Sequence, residues 1–298
     1  MTSEEREGEV ETPGGEIAAT DSQDNTRGSG AVGVSFRAWE RGVDSLWLFT
    51  DYRNTFKPAA IDFGPEAEGG ILEPEDAEMI EAGVKGRNAS GRLSWEVSGF
   101  LMHFHNVVVA TQVGGLPALE NVGEENFDGI EGEVSWSILQ DLRLQASYSF
   151  HDATFGDYLA DFDGTLMQLD GNRVEMSANH MASAGVLHLP EKGFNASVIG
   201  QYVGSRYLNK RNTALADDYI NWSAGVGFRF SHFEVRVDGT NLSDTRDPVA
   251  ESELGEAQYY LLPARAVRGV VHLEDLRADH GRGPELARRA RACDRREI

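Results

Sequence analysis

Apolar and polar residues alternate with a period of two through most of this chain, the spacing that puts successive side chains on opposite faces of a strand. Over Asp141–His151, Leu142, Leu144, Ala146, Tyr148 and Phe150 share one face, while Arg143, Gln145, Ser147, Ser149 and His151 share the other. Ile130, Gly132, Val134, Trp136 and Ile138 alternate with Glu131, Glu133, Ser135 and Ser137. The same holds for Ile220, Trp222, Ala224, Val226, Phe228 and Phe230, and for Phe233, Val235 and Val237. In Gly91–Phe104 the apolar phase runs Leu93, Trp95, Val97 and then shifts to Phe100, Met102, Phe104, which predicts a bulge near Ser98-Gly99. The pattern predicts about 11 or 12 strands, near 31–38, 44–53, 78–87, 91–105, 106–113, 118–137, 141–155, 174–189, 193–207, 217–230, 231–242 and 257–273. Whether 106–113 and 118–137 are one strand or two stays open at this level.

Connections sort by length. Asn88-Ala89-Ser90-Gly91, Leu139-Gln140, Glu191-Lys192-Gly193 and Ser231-His232 read as tight turns, and 57–77, 156–173, 207–218 and 245–257 as long polar loops. A meander with short turns at one end and long loops at the other is the pattern of an outer-membrane barrel. The expected fold class is therefore all-β: part of an antiparallel up-and-down transmembrane β-barrel over residues 30–273. Residues 1–29 read as a disordered acidic arm or an extracellular loop, and 274–298 as a disordered Arg-rich tail. Trp47, Trp95, Trp136, Trp222, Tyr148, Tyr202 and Tyr207 fall in or near strand ends, where interfacial aromatic girdles sit; in a soluble sandwich they would be core.

Charge and composition narrow the function. Acidic residues outnumber basic ones 49 to 27, a net charge of −22 that excludes a nucleic-acid binder relying on Lys and Arg. The 33 glycines suit short strands joined by turns. A single cysteine, Cys293, excludes an internal disulfide. Apolar runs such as Val107–Ala110 fall far short of the ~18–20 residues of a spanning helix. Met1 opens an acidic stretch in place of a signal peptide. Alone, these two absences describe a soluble protein that is not exported; the alternation argues for a membrane wall.

Five local patterns, in order, carry a resemblance. Tyr52-Arg53-Asn54-Thr55-Phe56-Lys57-Pro58-Ala59 ends one strand; Leu72-Glu73-Pro74-Glu75 precedes Glu81-Ala82-Gly83-Val84-Lys85. Asn121-Val122-Gly123 precedes Gly129-Ile130-Glu131-Gly132-Glu133; Asp238–Asp244 contains Asn241-Leu242; Leu262-Pro263-Ala264-Arg265 introduces the last strand. Over residues 30–273 the chain resembles the C-terminal part of the β-barrel of TonB-dependent outer-membrane receptors. The resemblance implies a Gram-negative outer-membrane location, contact with lipid and lipopolysaccharide, and uptake of a scarce nutrient such as a ferric siderophore. It also implies a plug, a signal peptide and a TonB box, none of which this sequence shows. The TonB system would be engaged only through that missing N-terminal region, so this polypeptide alone should not transport. Family barrels have about 22 strands, twice the number counted here, and end on an aromatic residue, whereas this last strand reaches Val270-Val271-His272-Leu273 and runs into the tail.

Candidate chemistry is sparse. Pro74 suits a strand entry, having no N–H to donate, and Asn241 and Asp244 suit a turn closed by side-chain-to-backbone bonds. His103 and His105 share a face at i, i+2, a metal-compatible spacing without an identifiable third ligand. Asp161-Phe162-Asp163-Gly164, near Asp157 and Asp170, is like the start of a calcium loop, but position 12 is Asn172. Asn88, Asn195, Asn221 and Asn241 head glycosylation-type triplets without meaning in a bacterial barrel. Gly200–Gly204 has no helix behind it for a phosphate loop. No hydrolase, metalloprotease or paired-cysteine motif is present, so no enzyme, cofactor, metal or catalytic residue is expected; the substrate-binding residues and the small-molecule substrate stay unknown. The long loops, 57–77, 156–173, 207–218 and 245–257, are expected to contribute to substrate capture. The alternative is a self-contained acidic β-rich binding module, or a small closed barrel, without transport activity.

Overall fold

β-branched and aromatic residues at every second position favour an extended, pleated chain. Eleven such runs pair into one sheet in the computed structural model, which describes residues 2–11, 17–58, 72–113, 116–121, 123–162, 165–251 and 259–273. The wall strands are β1 (Gly30–Arg41), β2 (Asp44–Lys57), β3 (Glu75–Asn88), β4 (Leu93–His105), β5 (Glu124–Ser137) and β6 (Leu142–Phe155). They continue as β7 (His180–His188), β8 (Gly193–Val203), β9 (Tyr219–Arg229), β10 (Phe233–Thr240) and β11 (Ala266–Leu273). Each is antiparallel to the next in chain order, an up-and-down meander without crossovers.

Turns of a few residues join the strands at one end. At the other end lie the long connections, four of which carry short two-stranded ribbons: Val108–Val113 with Leu116–Asn121, Leu159–Phe162 with Thr165–Gln168, Arg206–Tyr207 with Leu215–Ala216, and Pro248–Glu251 with Tyr259–Leu261. The 106–113 segment is thus half of a ribbon, and the wall resumes at Glu124. Ahead of β1, Thr2–Glu11 pairs with Ile17–Arg27 as another ribbon, within the stretch read as an arm or loop. Residues 59–71, 252–258 and the tail 274–298, Cys293 included, lie outside the described residues.

The register fixes the two faces. Phe36, Leu48, Val84 and Val97 stand in one row across β1–β4, and Tyr148, Ala182, Tyr202 and Ile220 in one row across β6–β9. This face holds exposed Val34, Ile130, Val134, Val186, Val198, Val226 and Val237. In water each large side chain left open forgoes about 1.5–3 kcal/mol of burial, so a whole face of them calls for a lipid surround. Trp95 and Trp136 mark its short-turn border, and Tyr52, Tyr148, Tyr202 and Trp222 its loop-side border.

Two expectations are overturned. The β4 ladder runs unbroken from Leu93 to His105 against both neighbours, so no bulge interrupts Ser98-Gly99, and Phe100, Met102 and Phe104 lie on the polar face. A register shift occurs instead between Arg37 and Trp39 in β1. Trp47 likewise belongs to the polar face, in register with Lys85 and stacked under the Arg37 guanidinium at 5.2 Å, outside any girdle.

Candidate functional site

The polar face carries a hollow of 610 Å³. Its floor follows from the register: Glu96, Glu133, Ser147, Ser183, Gln201 and Asn221 form one continuous row, and Ser98, Glu131 and Ser149 another. Beyond the hollow the first row continues to Lys85 and the second to Gly83 and Phe49. A Cβ on Gly83 would overlap the Phe49 ring, so glycine is required for that ring to lie flat. Arg53 bridges Asp51 at 3.0 Å and Glu81 at 2.9 Å, and the His151 Nε2 meets Glu131 at 2.9 Å. Glu96 and Glu133 stand directly opposite one another, a like-charged cross-strand pair, with Lys85 next in register on the other side of Glu96. The hollow therefore offers carboxylates and hydroxyls to a hydrogen-bonding, positively charged surface.

Toward the short turns the same face holds a polar network invisible to sequence reading. The Arg236 guanidinium donates to Asp238 (2.6 Å), Asn195 (2.8 Å) and Ser197 (2.5 Å). Asn195, fully buried, donates to Glu234 at 2.9 Å, and Arg229 grips the other Glu234 oxygen at 3.0 and 2.7 Å. Gly225 and Gly227 leave the space these side chains occupy; a Cβ on Gly225 would overlap Arg236 and Asp238.

At the loop end, the motif residues are staples. Asn121 accepts from the Glu73 N–H (2.7 Å) and donates to the Glu73 and Asn106 carbonyls (2.9 and 2.8 Å), tying the entry of β3 to the ribbon between β4 and β5. Pro74 is fully buried there, and Glu75 accepts from the Val108 N–H at 2.7 Å. Asn241 closes its turn on Thr245 and reaches the Pro263 carbonyl at 2.7 Å, while Asp244 accepts from the Arg265 N–H at 2.9 Å. Asn195 and Asn241 are both buried, and Asn221 lies in the floor of the hollow.

The two histidines of the i, i+2 pair face the apolar side above its last valines. His103 meets Asn126 at 2.5 Å and His105 meets Glu124 at 3.3 Å, and no cluster of three metal-type ligands occurs among the described residues. Leu159–Phe162 pairs with Thr165–Gln168 as a hairpin, and Asp157 accepts from Gln168 at 2.9 Å; Asp163-Gly164 lies outside the described residues.

The buried apolar cluster sits above the wall. Phe155, the last residue of β6, packs with Tyr158, Ala160 and Leu169 of the connection from β6 to β7, with Phe162 and Val174 against them. Just below, on the polar face of β5, Glu125 lies in register between Phe104 and Phe155. Burial, Glu175 and Glu75 push its carboxyl up to about 7, burial being the largest cause, against the pull of Lys210. No sequence signal marks Glu125. Arg206, 3% exposed, donates to the Asp217 and Pro248 carbonyls and lies 5.1 Å from the Tyr219 ring, pinning the last two long loops to β9.

A meander with an apolar belt bordered by aromatics, a polar opposite face and all long loops at one end defines an outer-membrane β-barrel wall. The family model for TonB dependent receptor-like β-barrels matches residues 5–242. This chain belongs to that family, whose members are β-barrels of the Gram-negative outer membrane. It is 25% identical over 194 residues to the metal-pseudopaline receptor CntO of Pseudomonas aeruginosa, covering 64% of this chain and 26% of that receptor. It is 24% identical over 234 residues to the ferrioxamine B receptor of Salmonella typhimurium, covering 75% and 31% respectively. Among solved structures, the ferric yersiniabactin uptake receptor FyuA of Yersinia pestis superposes with a TM-score of 0.70 at 16% identity, over 88% of this chain and 39% of that one. The chain thus spans under a third of the curated relatives it matches, and the polar face is the lumen side of a partial barrel.

Proposed function

We propose that this chain is the C-terminal barrel portion of an outer-membrane receptor that imports a scarce nutrient, a ferric siderophore or similar metal chelate, and that it does not transport alone. The sorted faces of the wall carry this reading: an apolar belt for lipid on one side and a carboxylate- and hydroxyl-rich lumen on the other. The names of the relatives, receptors for ferrioxamine B and metal-pseudopaline, support the substrate class. The long loops, 57–77, 156–173, 207–218 and 245–257, would contribute to capture. The remainder of the receptor would supply the plug and the contact with the TonB system. Lipid and lipopolysaccharide would surround the wall.

The test is expression with an export signal in a Gram-negative host stripped of its own siderophore receptors. The chain should fractionate with the outer membrane, and cells should not take up radioactive iron presented as ferrioxamine. Recovery as a folded monomer without detergent overturns the barrel reading. Iron uptake supported by this chain alone overturns its dependence on the rest of the receptor.

A further inference from the structure

The long connections on this half of the mouth are bonded each to the next. Asn121 ties the ribbon between β4 and β5 back to the entry of β3. On the other side of that ribbon the Gly156 N–H donates to the Glu124 carbonyl at 2.6 Å, and Asp157 and Tyr158 sit over Gly123, where a Cβ would overlap them. The connection from β6 to β7 then folds back along the strand it leaves. The Phe155 N–H donates to its Asn172 carbonyl at 2.8 Å, and its Gly171 and Val174 N–H groups donate to the Phe155 and Ala153 carbonyls at 3.0 and 2.9 Å. These are backbone bonds, so this connection is a fixed base.

The connection from β8 to β9 is fastened to that base. Asn212 accepts from the Arg173 N–H at 2.8 Å and donates back to the Arg173 carbonyl at 2.8 Å. Asn172 donates to the Lys210 carbonyl at 3.0 Å, and the Met176 N–H donates to the Tyr207 carbonyl at 2.8 Å. The Lys210 ammonium reaches the Tyr158 hydroxyl at 3.1 Å, and Arg211 lies 4.8 Å from the Phe162 ring. Buried Arg206 carries the contacts on to the connection from β10 to β11 by donating to the Pro248 carbonyl. Two residues of the joint have left-handed backbone, Asn212 at φ 55° and Met176 at φ 60°. Asn tolerates that region, but Met is strained there and stays only where surrounding bonds hold it. The bond from the Met176 N–H across the joint to Tyr207 is one of those.

We propose that these connections are braced into one fixed rim, with Asn212 as the residue that positions the β8–β9 connection on it. Resting on the receptor reading above, this half of the mouth is a preformed capture surface, and any closure over a ligand belongs to the remainder of the receptor. A surface already in place spares the ligand the ordering cost of closing a loose loop.

Hydrogen exchange of the full chain in micelles tests this, read amide by amide. The Met176 and Leu208 amides, bonded to Tyr207 and Ala214, should exchange on the order of a hundredfold or more slowly than free peptide. Rates near those of free peptide at either amide overturn the brace. Asn212 makes no bond to the Met176 N–H, yet Asn212→Ala should speed exchange at Met176 about tenfold or more while amides in 130–137 keep their protection. Asn212→Asp keeps the acceptor for Arg173 and should restore part of it. A change confined to Arg173, whose N–H Asn212 accepts, means that the joint's bonds open independently and overturns the proposal. Should Asn212→Ala also unprotect 130–137, Met176→Val decides: a β-branched side chain on left-handed backbone should speed exchange at Leu208, and an unchanged Leu208 overturns the brace. No transport is read. Loose connections on a protected wall strike the brace and leave the receptor reading standing, whereas an unprotected 130–137 in the wild type strikes both.

Discussion

Asn121 joins three backbone segments through one carboxamide, with partners 48 and 15 residues away. Replacing it with Ala leaves the Glu73 N–H and two carbonyls to water or to nothing, so unfolding stability should fall by about 1–3 kcal/mol. Asn121→Asp keeps the acceptor and should fall less; the midpoint of urea unfolding in micelles reads both. Gly225 offers a second test. A methyl there collides with the Arg236 and Asp238 side chains, so Gly225→Ala should break that network and cost about 1–3 kcal/mol. Gly269→Ala, with open space around it, should be near neutral in the same assay. The motif around Asn121 is legible in the sequence, but its bonding partner is not, because nothing local pairs it with Glu73. Glu125 and Arg206 are illegible for the same reason: their burial is created by loops distant along the chain.

For whole strands, reading by alternation succeeds where the two faces differ in polarity. β6 sets Leu, Ala, Tyr and Phe against Arg, Gln, Ser and His, and its register reproduces that division residue for residue. The reading fails in β4, where apolar side chains serve both faces. Leu101 faces lipid, whereas Phe100, Met102 and Phe104 face inward, Phe104 against Phe127 at 5.7 Å and Met102 in register with Met79 and Phe127. A hydrophobic pattern cannot separate lipid from an aromatic interior, so the phase change looked like a bulge. Trp47 was misplaced by the same ambiguity. Brominated lipids measure the distinction: in single-tryptophan variants, Trp95, Trp136 and Trp222 should be quenched strongly and Trp47 weakly. Strong quenching of Trp47 would place it on the lipid side and overturn the register of β2. Strand number and most of the loop sorting are legible because turn residues recur at one end of the hairpins; the connection from β4 to β5 is not, because its ribbon strands alternate as wall strands do.

The molecule as a whole is an open sheet, and its parity limits how it can close. β1 and β11 have no partner on their outer edges among the described residues, and both are exposed at every position. With 11 strands alternating in direction, β1 and β11 run the same way, each from the loop end to the turn end. Two copies inserted in the same sense would bring β11 of one beside β1 of the other in parallel, whereas every ladder of this wall is antiparallel. A matching strand total is therefore not enough: two such halves make parallel seams, with slanted and slightly weaker hydrogen bonds. Antiparallel closure needs a complement of odd strand number whose two edges both run from turn end to loop end. Exposed flat edges otherwise pair without fixed stoichiometry. Refolded alone in micelles, the chain should give monomers and a concentration-dependent spread of larger species in native mass spectrometry. Cysteines placed at Ser35 and Val270, which lie exposed on the polar face of the two edge strands, with Cys293 replaced by Ser, should react readily with a soluble maleimide in the monomer. A discrete dimer cross-linked between these two positions would show that parallel seams suffice and would overturn the parity argument.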